Sequence, residues 1–249
     1  MVEILQPVLP VADMASAFWQ STLPGKVIVL LLFLGSASAW TIMVTKGMQL
    51  RAAGRSTEQF LTAFRAERDP TVLFTRREEM AGTPLQTMYR EGCKALGAEL
   101  QVQGVDPDDL LMGHLTSESH RHLSLNQLET VRSVVDRNLA DEVLLLEDQM
   151  GLLATAVSAA PLRGLVGTVG GVMDAFAGMA LAGNAALSAV APGISGALLT
   201  TIIGLIVALP SMIGYNLLSA EIRRISVQMD NFAQGFISGI QNSYVIEAK

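Results

Sequence analysis

Two ionisable residues sit inside one of the most apolar stretches of this chain. Residues 161–176 read PLRGLVGTVGGVMDAF, with Arg163 and Asp174 on either side of the Thr168 hydroxyl. Charge is costly in lipid, so an ionisable group held there takes part in ion or proton handling, or meets an opposite charge, by default. Arg163 and Asp174 are therefore candidate ionisable contributors. Each has an ordinary alternative. Arg163 can snorkel to the headgroups or pair with an acidic neighbour. Asp174, toward the outer half, can be a hydrated rim residue. A threonine hydroxyl both donates and accepts, and it can order water or a carboxyl without the cost of a full charge. Its ordinary alternative is a bond back to a carbonyl one turn earlier.

The same region is rich in glycine, a poor helix former. Gly164, Gly167, Gly171 and Gly204 are candidates for close helix packing, and Gly167-x-x-x-Gly171 is a small-xxx-small pattern. Pro161, Pro192 and Pro210 are candidates for shaping the helices, since each removes a helical hydrogen bond.

Other chemistries find little support. His114, His120 and His122 have no cysteine or carboxylate at ligand spacing, so no metal site is expected. No phosphate loop, nucleophile elbow or zinc motif occurs, and no enzyme activity is expected. The net charge of −6 comes without a basic stripe, which argues against nucleic acid. The single cysteine, Cys93 in YREGCKALG, excludes an internal disulfide framework and reads as an ordinary thiol on a polar helix.

The elements that carry these residues follow from hydropathy. Half of the 249 residues are hydrophobic, gathered in three long runs separated by charged sequence, the mark of a polytopic membrane protein. The first run, VIVLLLFLGSASAWTIMVT, has no charge, is flanked by Lys26 and Lys46, and can cross a core of about 30 Å. The N-terminal MVEILQPVLPVADMASAFWQ lacks a basic n-region and does not read as a cleavable signal. Lys and Arg are absent before Lys26 and between Gly164 and Glu221, but present after the first and third runs. The expected layout is a periplasmic segment 1–25, transmembrane helix 26–46, cytoplasmic helical region 47–150, transmembrane helix 151–182, periplasmic loop 183–190, transmembrane helix 191–218 and cytoplasmic C-terminal helix 219–249.

The cytoplasmic region is itself helical. STEQFLTAFRAERDP predicts a helix capped by Ser56 or Thr57 and closed by Pro70, and a second follows over about 83–102. VQGVDPDDL is a linker. Leu128, Val131, Val135, Leu139, Val143, Leu146, Met150 and Leu153 recur at threes and fours, which predicts one amphipathic helix running unbroken into the second span. A stripe that long needs partners from the same chain and from further copies.

VGTVGGVMDAF at 166–176 and APGISGALLTTIIGLIVALPSMIGYN at 191–216 resemble the two signature segments of the ExbB/TolQ/MotA proton-channel family, and most of all its ExbB/TolQ branch. The resemblance implies an all-α integral membrane protein of the bacterial inner membrane, with three transmembrane helices and long helices extending into the cytoplasm, assembled as a homopentameric ring. It further implies two copies of an ExbD/TolR-like single-span protein within the pore. Protons are the coupling ion, with no bound cofactor, and the work is delivered to the cell envelope. The family's pore-lining threonines match Thr168 and Thr201. Their faces carry Pro161, Val172, Ala175 and Met179 on one span, and Ile194, Gly204, Leu205, Ala208 and Met212 on the other. Two positions depart from the family text: Gly170 stands where Trp is frequent, and Gly196 where Glu is usual. The leading function is a proton-driven motor stator. The alternatives are a non-conducting structural scaffold, supported by Gly196, and a MotA-like motility stator. Three spans are too few for a solute transporter.

Overall fold

The computed structural model describes residues 18–19, 23–67, 69–75, 83–102, 123–182 and 187–245. The three histidines, residues 103–110 of the linker, most of the N-terminal segment and 183–186 of the expected outer loop lie outside them. The described residues form helices and no strand: α1 (Leu23–Ala66), α2 (Val72–Thr75), α3 (Pro84–Val102), α4 (Leu125–Glu147), α5 (Met150–Ala182) and α6 (Leu187–Tyr244). Three helical stretches are long and apolar enough to cross a membrane, in α1, α5 and α6. The contacts divide the chain into two units, one of residues 1–45 and 149–217, the other of 46–148 and 218–249.

The first unit holds the apolar spans. Leu32, Ala160, Val207 and Ala208 form its buried cluster, with Ile28 and Ile203 packed against it. α5 and α6 run antiparallel at backbone contact, which their glycines permit. A Cβ on Gly164 would stand 2.8 Å from Thr200 O and 2.9 Å from Thr201 Cα. One on Gly171 would stand 2.8 Å from Ala197 Cβ, and one on Gly204 would stand 2.7 Å from Ala160 O. The opposite side of α5, with Leu162, Leu165, Val166, Val169 and Met173, is exposed. All three prolines lie within helices that continue through them.

The second unit is a helical bundle with its own aromatic core. Phe60, Phe64, Tyr89, Phe232 and Phe236 pack ring to ring, with centroid separations from 4.8 Å between Phe64 and Phe232 to 6.3 Å. Gly92 makes room for them, because a Cβ there would be 2.7 Å from the Phe236 ring. Thr83 caps α3 by accepting from Gln86 N at 3.0 Å. Ser124 and Gln127 form a capping box at the start of α4. Cys93 lies on the buried face of α3 rather than a polar one, and burial pushes its thiol well above the usual range. The native chain should therefore resist iodoacetamide at about pH 8 and be alkylated once unfolded. Timed alkylation read by mass spectrometry checks this, and rapid labelling of the native chain would contradict the buried placement.

Two expectations about helix boundaries are corrected. The helix expected to start at Ser56 or Thr57 is the continuation of α1, and Thr57 is fully buried with its hydroxyl unpartnered, so it caps nothing. The helix expected to run unbroken from the 120s into the second span is interrupted at Asp148 and Gln149, where Gln149 takes φ 66°. A left-handed conformation costs a non-glycine residue roughly 1–2 kcal/mol. Part of the compensation is tertiary. The buried Lys46 ammonium donates to Leu145 O at 3.2 Å and Leu146 O at 3.4 Å, carbonyls of the last turn of α4. A cation on the C-terminal carbonyls also opposes the negative end of the helix dipole.

A candidate proton site between two membrane helices

Two helices with backbones this close bring their small polar side chains into direct contact. Thr168 on α5 and Thr201 on α6 meet hydroxyl to hydroxyl. Both are half-buried. Thr168 also donates back to Gly164 O at 2.9 Å, the bond a lone helical threonine makes. Thr201 makes no such bond among the described residues; its hydroxyl meets that of Thr168. The arrangement is a pair of hydroxyls in an otherwise apolar wall, each able to donate and accept.

The remaining sequence candidates lie around this pair and do not join it. Arg163 is exposed, with one guanidinium nitrogen 3.8 Å from where a Cβ on Gly35 of α1 would be. By helical spacing it points roughly opposite Thr168. Asp174 is exposed on α5, about 9 Å further along the axis from Thr168 at 1.5 Å per residue. No ion pair involves either residue among the described ones. Gly164, Gly167, Gly171 and Gly204 all lie on the α5–α6 contact. The face expected on the third span divides: Gly204 and Ala208 turn into the packing, while Leu205 and Met212 are exposed.

The two departures differ in their surroundings. Gly170 has open space around it, with nothing within 4 Å of a Cβ. Gly196 is buried within α6.

One residue of the site was missed in the sequence. Thr200 is 1 % exposed, and its hydroxyl lies 2.9 Å from Gly164 O and 2.7 Å from Ala197 O. The available signal was the Thr200–Thr201 dipeptide itself. Successive helical residues point about 100° apart, so the two hydroxyls leave α6 in different directions. Thr201 reaches Thr168 and Thr200 reaches Gly164 O, both on α5.

Comparison with known proteins bears on the same segment. A model of the MotA/TolQ/ExbB proton channel family matches residues 106–231. The chain is 30% identical over 213 residues to the Tol-Pal system protein TolQ of Pseudomonas aeruginosa, covering 85% of each chain. It is 28% identical to the TolQ of Haemophilus influenzae over 88% of this chain and 90% of that one. It is 29% identical to the biopolymer transport protein ExbB of Pseudomonas putida over 83% of this chain and 56% of that one.

Proposed function

The chain belongs to the MotA/TolQ/ExbB proton channel family, and from that membership we infer that it is an ExbB/TolQ-like stator subunit of a motor driven by the proton-motive force. The observation that carries this reading is the Thr168–Thr201 hydroxyl contact between two apolar helices. A proton path through a membrane needs groups that can exchange hydrogen bonds without holding a permanent charge, and paired hydroxyls are such groups. In the proposed assembly, copies of the chain form a pentamer in the bacterial inner membrane, with the N-terminus periplasmic and the C-terminus cytoplasmic. The Thr168–Thr201 pair lines the pore. Two ExbD/TolR-like single-span chains within it supply the carboxylate that loads and releases protons. The exposed apolar side of α5, from Leu162 to Met173, is surface for lipid or neighbouring copies.

The glycine at position 196 favours a second reading, a non-conducting scaffold of the same family, because the usual glutamate is absent there. Purification of the full chain from native membranes in mild detergent tests the assembly. A pentamer carrying a short chain with one apolar span and a single intramembrane aspartate is expected. A clean monomer without a second chain would refute the stator reading. A pentamer that moves no protons in vesicles would select the scaffold.

A further inference from the structure

The Gly164 carbonyl is a shared acceptor, within reach of the hydroxyls of Thr168 and Thr200. Within α5 the Gly164 carbonyl accepts the Thr168 backbone N–H, as α-helical geometry requires. A carbonyl oxygen has two lone pairs, so one remains. Two hydroxyls reach for it, Thr168 and Thr200, both at 2.9 Å. Each hydroxyl has one proton, and each has a second acceptor: Thr201 Oγ1 for Thr168, and Ala197 O at 2.7 Å for Thr200. The two choices are coupled. When Thr200 donates to Gly164 O, the Thr168 proton turns to Thr201, and the Thr201 proton is free to point away from the pair. When Thr200 turns to Ala197 O, Thr168 donates to Gly164 O, and Thr201 donates to Thr168. No covalent bond changes; three hydroxyl protons rotate.

We propose that Thr200 is a positioning residue that sets the direction of hydrogen bonding in the Thr168–Thr201 pair through their shared acceptor, the Gly164 carbonyl. The inference rests on the reading of that pair as part of the proton path. Thr200 suits the task because it is sealed from solvent and lipid, so no competing water or headgroup takes its proton. The neighbouring backbone is shaped to admit it: a Cβ on Gly167 would stand 2.7 Å from Thr200 Cβ. A side chain at 167 would occupy the space in which the Thr200 hydroxyl turns.

The test separates hydroxyl from shape. Thr200→Val keeps the branched shape and loses the hydroxyl; Thr200→Ser keeps the hydroxyl and loses the methyl. Proton flux is measured in inner-membrane vesicles that hold the full chain with its native partner chains, normalised to assembled complex, with Thr168→Ala in parallel. Thr200→Ser is expected within about twofold of wild type, and Thr200→Val about tenfold lower, the scale of one lost hydrogen bond. If Thr200→Val does not assemble, Thr200→Ala against Thr200→Ser makes the same comparison, since both lack the methyl. Flux equal to wild type in the hydroxyl-free variant would overturn the proposal, as would equal loss in Ser and Val. Wild-type flux in Thr168→Ala would instead overturn the reading of the pair on which the proposal rests.

Discussion

Thr168→Ala and Thr201→Ala are each expected to abolish proton-coupled activity, by about a hundredfold or more, the lower end of what a positioned proton-transfer group supplies. The two hydroxyls are each other's partners across α5 and α6, so removing one leaves the other with nothing to relay to. The fold should survive. The Thr201 hydroxyl has no bond besides this one among the described residues, and a single net hydrogen bond contributes only about 1 kcal/mol. Assembly, judged by gel filtration of the purified complex, should therefore match wild type. Serine at either position keeps the hydroxyl and should keep most of the flux. Full activity in both alanine variants would remove these threonines from the proton path.

The second large effect is expected from Gly164→Val. The atoms that a Cβ would meet, Thr200 O and Thr201 Cα, belong to the backbone and cannot move aside by changing rotamer. Overpacking of a side chain typically costs about 1–3 kcal/mol. Here two helices must separate along the line that also carries Thr168, Thr200 and Thr201, so the cost should lie at or above the top of that range. Gly170→Ala is the control, since nothing lies within 4 Å of a Cβ there. The midpoint of helix loss in an SDS titration, followed by circular dichroism, should fall sharply for the first and hold for the second. Equal midpoints would mean that α5 and α6 do not pack through Gly164.

Features of a single helix are legible in the sequence, and contacts between helices are not. The three apolar runs and the glycine pattern at 164, 167 and 171 were legible because hydropathy and small-residue spacing are properties of one helix at a time. Leu128, Val131 and Val135 were legible as the buried face of α4 for the same reason. Partners across helices were not. Thr200 looked like one hydroxyl among many, until its acceptor on α5 was in view. The break at Gln149 has no glycine or proline at the site to announce it, and part of its support comes from a lysine about a hundred residues earlier. Thr57 has the residue type of a helix cap, yet the helix had already begun at Leu23. Capping residues suggest starts, but they cannot say that a helix is already under way.

The Lys46 ammonium has a consequence in the making of the protein as well as in its folded form. A lysine at the edge of an apolar run biases which way that run is inserted, and under the proposed topology Lys46 would act there while the chain is still being synthesised. The carbonyls it finally covers, at Leu145 and Leu146, do not yet exist at that moment. One side chain would thus serve biogenesis first and architecture afterwards. Arginine or lysine at 46 should be interchangeable in the first task and less so in the second, where the buried site fits the compact ammonium rather than a planar fork.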